Sequence, residues 1–200
     1  SVDPPFGLAG TPNASFTLCG TNLGLTDAHI DWVRLGGHAM ETVRLLNASC
    51  LLASSTQLPD AWSAPDEADV SVGGQTATRT QGLFEGVPRP SISLLSVLAR
   101  PTAGGSAVSL LGEGFGRSSE DVWGVEVGSS VVMSSEVTFV SRRELRFSLP
   151  AGVGSSVGVR VRSRSGLWSN ALSLSYDRPE IASVDPPFGL AGTPNASFTL

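Results

Sequence analysis

Few residues in this chain have types and spacing that could support chemistry. His29 and His38, with Asp27 and Asp31 close by, could be imagined as metal ligands. Ligand sets converge more tightly and bring hydrogen-bonded supporting groups, so no metal site is expected there. Asp60, Asp66, Glu67 and Asp69 carry enough charge for calcium. They lack the regular spacing and the glycine of a calcium loop, so the expectation is a solvated acidic loop. Gly112, Gly114 and Gly116 form a G-x-G-x-G at the end of a strand-like run. No helix pattern follows, which excludes a dinucleotide fingerprint. With no Ser/His/Asp order and no phosphate-cradling loop, the chain reads as a non-enzyme without a cofactor.

Three other sets of residues point to covalent modification or to contacts. Asn13-Ala14-Ser15, Asn47-Ala48-Ser49 and Asn195-Ala196-Ser197 are N-glycosylation sequons. Cys19 and Cys50 both fall in the first half, either as a disulfide or as two buried thiols. Sequons beside a cysteine pair indicate an extracellular or cell-surface glycoprotein. In Val157–Arg164 the alternation V-G-V-R-V-R-S-R sends Arg160, Arg162 and Arg164 to one face and the valines to the other. That stripe is either a solvated face that discourages edge aggregation, or a docking surface for an acidic domain or anionic glycans.

Charge is distributed unevenly. All thirteen basic residues are Arg, and the chain carries a net −5. Residues 1–88 hold three Arg against nine acids, and residues 89–182 hold ten Arg against eight. An acidic balance without a coherent basic patch argues against nucleic acid as a partner. No apolar run approaches the ~18 residues needed to cross a bilayer.

The elements that must position these residues are short strands. Alternating runs of Val, Ser, Thr, Phe and Leu recur between Gly and Pro, the pattern of a β-sandwich. Ser1–Gly10 reads as an extended edge segment, followed by strands over Ser15–Gly20, Ile30–Leu35, Ala39–Leu46 and Ser49–Ala53. Val70–Val72 and Thr76–Phe84 close the unit around Gly73-Gly74. The second half repeats the order: Leu18-Cys19-Gly20, Gly24 and Val33–Gly36 return as Leu110-Leu111-Gly112, Gly116 and Val125–Gly128, an offset of 92 read from the numbering. Arg89-Pro90-Ser91-Ile92 and Arg178-Pro179-Glu180-Ile181 head successive units. A larger repeat encloses these two, because Ser1–Leu18 recurs without change as Ser183–Leu200. We read one domain over 1–88, a second over 89–178, and in 179–200 the first strands of the next copy of domain 1, at a period of 182. A duplicated segment, or a donor strand that completes a fold, is the alternative. By this reading Phe188, Phe198 and Leu200 repeat the core roles of Phe6, Phe16 and Leu18.

The layout resembles the IPT/TIG family of immunoglobulin-like domains, found in plexins, fibrocystin-like surface proteins and Rel-type transcription factors. The resemblance rests on the opening P-x-I-x-S-V-x-P-x-x-G (Pro179, Ile181, Ser183, Val184, Pro186, Gly189) and on a strand ending in G-x-x-x-G (Gly20–Gly24 and Gly112–Gly116). It continues with V-x-V-G (Val125–Gly128), L-x-F-x-L-P (Leu145–Pro150) and a closing G-x-x-S-N-x-L-x-L-x-Y (Gly166–Tyr176). The first half departs from it, with no closing Ser-Asn or Tyr and with an acidic insert, Asp60–Asp69, after Leu58-Pro59. The resemblance implies all-β tandem immunoglobulin-like sandwiches. It makes the strands of Cys19 and Cys50 neighbours, so that the two pair, and alignment with Leu111 and Leu145 turns both toward the core. It further implies a non-enzymatic extracellular role. A tandem-repeat rod that self-associates into a linear filament is the leading expectation, ahead of an adhesion-receptor stalk or an accessory carbohydrate-binding module using Trp62, Trp123 or Trp168. A Rel-like factor fits least, since the basic DNA-contacting loop is missing.

Asn13 follows a Thr-Pro turn and Asn47 lies between two strand runs, so both side chains should reach solvent. Glycopeptide mass spectrometry of native material is expected to find N-linked glycan on Asn13, Asn47 and Asn195; bare Asn13 and Asn47 would overturn this reading.

Overall fold

The computed structural model describes residues 1–80, 83–97, 100–183, 185 and 197. Its first ten strands are β1 (Val2–Asp3), β2 (Phe6–Leu8), β3 (Pro12–Cys19), β4 (Ile30–Leu35), β5 (His38–Ala39), β6 (Thr42–Asn47), β7 (Cys50–Gln57), β8 (Glu67–Val72), β9 (Gln75–Thr80) and β10 (Glu85–Val87). The next eight are β11 (Ser91–Val97), β12 (Ala107–Glu113), β13 (Val122–Val127), β14 (Ser130–Met133), β15 (Thr138–Ser141), β16 (Glu144–Ser148), β17 (Val157–Ser163) and β18 (Leu172–Leu174). Each set makes a sandwich of two four-stranded antiparallel sheets. The first pairs β1-β3-β7-β6 with β5-β4-β8-β9; the second pairs β11-β12-β16-β15 with β14-β13-β17-β18. The fold is therefore immunoglobulin-like and all-β, with the same strand order twice.

Side-chain alternation explains both cores. On β3, Ala14, Phe16 and Leu18 point inward, and on β7 Leu51, Ala53 and Ser55 do. The counterparts Val108, Leu110, Leu145 and Phe147 fill the second core. Val33 and Val125 are both fully buried and face Val70 and Val161 across their sheets. A β-bulge falls between Ile30 and Trp32 in one sandwich and between Val122 and Gly124 in the other. Diverged sequences thus keep even an irregularity of register, because a one-residue slip would turn every inward side chain outward.

The structure departs from the sequence reading in three places. The expected strand Ala39–Leu46 is two strands in opposite sheets: β5 pairs with β4, and after Met40-Glu41 the chain crosses to place β6 on β7. The edge segment Ser1–Gly10 is also split, at Pro4-Pro5, into β1 on one sheet and β2 on another; proline lacks the N–H that would continue the ladder. The run expected over Thr76–Phe84 belongs to β9 as far as Thr80, and the separate β10 pairs in parallel with β2. The expected roles of Phe188, Phe198 and Leu200 lie outside the described residues.

Phe16 is 2% exposed and meets the edge of Phe84 at 5.5 Å between ring centroids. Phe16→Ala is expected to cost about 3–5 kcal/mol in stability, read by chemical denaturation, as for other buried large-to-small aromatic changes.

Candidate functional site

β3 ends and β7 begins at a directly opposed pair, Cys19 and Cys50, which form a disulfide. The expected pairing is present, but the expected orientation is not. Leu18 pairs with Leu51, and their counterparts Leu110 and Leu145 are likewise paired. Cys50 therefore corresponds to Glu144 rather than Leu145, and the bridge lies on the outer side of its sheet. Both cysteines are half-buried where Leu18 and Leu51 are buried.

Two of the three sequons lie among described residues, and both asparagines are exposed. Asn13 sits in the left-handed region at φ 49° near the start of β3. Beside it, Glu41 accepts the Thr56 hydroxyl and N–H at 2.8 and 3.1 Å, contacts that hold its carboxyl below the usual value. Asn47 accepts the Ser49 N–H through Oδ1 at 2.9 Å, an Asx turn that spans the sequon. Asn195 lies outside the described residues.

The arginine stripe differs from the expected row of three. Arg160 and Arg162 stand on the outer face of β17, half-buried, and Arg164 lies past the strand end in a turn. Arg160 donates to Glu126 at 2.9 and 3.1 Å and covers the Trp168 ring at 4.3 Å. Arg162 lies over Trp123 at 4.7 Å and over Trp168 at 5.4 Å. Trp123 occupies the bulge of β13, and Trp168 forms an isolated bridge to Arg162. The two indoles thus share one face, and a guanidinium group lies over each ring. Trp62 is elsewhere, packed edge-on to Phe84 at 5.5 Å.

The residues suspected of metal binding are used locally. Asp27 accepts the Leu45 N–H at 2.5 Å, and His29 Nδ1 accepts the Leu25 N–H at 3.1 Å. His38 bonds Ser55 at 3.0 Å. Asp31 accepts the Gly74 N–H and the Ser71 hydroxyl, both at 2.8 Å, and these bonds lower its pKa. Of the acidic group, Asp60 and Asp66 are exposed in the loop, while Glu67 and Asp69 belong to β8.

Sequence reasoning missed the joint between the sandwiches. Trp62, carried in by the acidic insert, donates its indole N–H to Val87 O at 2.9 Å and packs against Gly7, Gly36 and Gly86. That contact holds β10 against β2 as the chain leaves the first sandwich. Glu85 of β10 then reaches across to Arg142 and, at 3.5 Å, to Arg117, whose guanidinium also covers Phe6 at 5.2 Å. Gly114, at φ 73°, abuts the carbonyls of Pro88 and Arg89, where a Cβ would approach to 2.6 Å. The middle glycine of the G-x-G-x-G is thus explained by the joint. The one signal in the sequence was a lone Trp within a polar insert.

Residues 90–176 match the family model of the IPT/TIG domain. The second sandwich is an IPT/TIG domain. No curated protein matches the chain. Among solved structures, it is similar to SGBP-B from a complex xyloglucan utilization locus in Bacteroides uniformis, with 17% identity over 85% of this chain and 47% of that one, TM-score 0.40. It is also similar to the surface glycan-binding protein PbSGBP-B from Prevotella bryantii (14%, 79% and 36%, TM-score 0.33). The plexin A4 extracellular region is a third (16%, 93% and 16%, TM-score 0.41). The chain spans less than half the length of each.

Two outcomes test these assignments. Replacing both Cys19 and Cys50 by Ser opens a cross-link between residues 31 apart and is expected to lower stability by about 3–4 kcal/mol in denaturant. Gly114→Ala forces a strained conformation at the joint to the IPT/TIG domain and is expected to cost about 1–3 kcal/mol, with its largest hydrogen-exchange changes at residues 85–89.

Proposed function

We propose that this chain holds one repeating unit and the opening of the next from a non-enzymatic extracellular structural glycoprotein, a tandem array of IPT/TIG-like domains that forms the rod of a filament or surface appendage. The observation that carries this reading is the unchanged return of Ser1–Leu18 as Ser183–Leu200. A receptor gains from domains that differ, whereas a linear assembly built by one repeated, non-closing contact needs units that do not. By the same reading the units span 1–88 and 89–178, and 179–200 opens the next copy.

Three structural features support it. The joint leaves no free linker: β10 ends at Val87 and β11 begins at Ser91, with Pro88 and Pro90 between. Glu85 is matched by two arginines of the next sandwich, so the two domains contact each other beyond the chain that joins them. The disulfide and the exposed Asn13 and Asn47 suit an oxidising compartment and N-linked glycans. Among the described residues no helix is long and apolar enough to cross a membrane. A carbohydrate-binding module would need free aromatic faces, and Arg162 lies over Trp123 while Arg160 and Arg162 lie over Trp168.

Strands of six to eight residues rising ~3.3 Å each, plus loops, give a domain of about 40 Å and a two-domain repeat of roughly 80 Å. Electron microscopy of native material is expected to show filaments with that axial period or a simple multiple of it. Discrete one- or two-domain particles would overturn the reading.

A further inference from the structure

One loop backbone is used in both sandwiches, and its outward side chains differ. In the first, the Leu25 N–H donates to His29 Nδ1 at 3.1 Å; in the second, the Arg117 N–H donates to an Asp121 carboxylate oxygen at 2.6 Å. Gly24 and Gly116 stand just before, at φ 91° and 87°, and each abuts that same partner, His29 or Asp121. Each loop then enters a single 3-10 turn, Asp27–His29 or Ser119–Asp121. Gly20 and Gly112 donate their N–H groups to Ser49 O and Arg143 O, which sets Ala48 at the place of Arg142. Between these anchors Asn22 stands at the place of Gly114, and both are left-handed, at φ 61° and 73°. Leu25 stands at the place of Arg117.

The three positions that differ are the ones that receive the exit of the first sandwich. Arg117 and Arg142 hold Glu85, and a Cβ on Gly114 would lie 2.6 Å from the carbonyl oxygens of both Pro88 and Arg89. Of the two effects the collision is the larger. Ion pairs as exposed as these contribute little singly and are screened by salt, whereas two backbone carbonyls cannot swing aside as the end of a side chain can. Asparagine adopts the left-handed conformation readily, as Asn22 does, yet its Cβ would still meet both carbonyls. Leu25 and Ala48 carry no cation, so Glu85 set against them would be partly desolvated and unpaired.

We propose that Gly114, Arg117 and Arg142 make this face of the second sandwich a selective receiver for the acidic exit strand of the first, and that Asn22, Leu25 and Ala48 make the same face of the first sandwich refuse it. The order of domains is thereby set by folded contacts as well as by the order of the chain. A first-type sandwich docks rigidly onto a second-type one and not onto another of its own kind. A second contact, between Gly10 and Leu167, joins the same two domains, since a Cβ on Gly10 would lie 2.9 Å from the leucine side chain. The consequence for an array rests on the filament reading: the units alternate strictly, and the joint from a second sandwich to the next first one is of a different make.

Residual dipolar couplings on the full 20.6 kDa chain read the joint directly, because two sandwiches held rigidly share one alignment tensor. Chemical shifts report separately that both are folded. The unaltered chain is expected to give one tensor. Gly114→Asn keeps a residue suited to the left-handed backbone and is expected to split the tensor in two, with shifts away from the joint unchanged. Adding Arg117→Leu and Arg142→Ala completes a first-type face and should widen the difference. Glu85→Arg should loosen the joint, and combining it with Arg117→Glu and Arg142→Glu should bring the tensors back together, a rescue that a merely structural role would not give. Two tensors in the unaltered chain, or one tensor in the folded three-residue variant, would overturn the selectivity while leaving filaments of native material to stand on their own. If native material shows no filaments but the three-residue variant splits the tensor, the array reading falls and the selective joint remains.

Discussion

The indole of Trp62 fills the space that Gly7, Gly36 and Gly86 leave open and donates its N–H to Val87 O, and this contact fixes the direction in which the chain leaves the first sandwich. Gly7 lies on β2 and Gly86 on β10, so one ring is packed against both members of the parallel pair. With β10 held there, Glu85 faces Arg117 and Arg142, and Pro88 and Arg89 meet Gly114. Without it, β10 would be three residues on a sheet of two strands, too little to hold an orientation. The remaining contacts at the joint depend on where this strand lies.

Much of the fold was legible because sandwich strands obey a period of two. Ile30–Leu35 is a strand with the expected bounds, and the offset of 92 between sister domains survives as paired valines and paired bulges. The same periodicity explains the error at the disulfide. The neighbouring strands and the pairing could be inferred, but placing Cys50 one position off against its sister strand exchanged inside for outside. Strand breaks were less legible. Thr42–Asn47 continues the alternation of the preceding residues, and only tertiary packing decides that the chain changes sheets at Met40-Glu41. Trp62, Glu85 and the shared face of Trp123 and Trp168 join positions far apart in sequence, and no local pattern reports such meetings.

The outer faces of the two central sheets carry the same device with the signs exchanged. Glu126 stands opposite Arg160 in the second sandwich, and Arg34 stands opposite Asp69 at the corresponding positions of the first. The Glu126 and Arg160 side chains form an ion pair at 2.9 Å, and the arginine also covers an indole. Arg34 instead covers Trp32 at 4.6 Å, and Asp69 keeps a buried oxygen without a partner. Cross-strand opposition of charge therefore outlasted divergence in sequence, but only the second sandwich built it into a layered stack of cations and rings. Such stacks hold long side chains flat and protect a broad sheet face from pairing with another.

The parallel course of β2 and β10 has a mechanical meaning. The chain enters the first sandwich toward β2 and leaves it from the far end of β10, so tension along the chain pulls these neighbours in opposite directions along their own length. Phe6, Gly7 and Leu8 would slide against Glu85, Gly86 and Val87, and their hydrogen bonds would bear the load together instead of opening one after another. Behind them, the Cys19–Cys50 link ties β3 to β7 and limits how much chain can pay out if the strand pair slips. Tension along the chain would therefore be resisted where the first sandwich is entered and left.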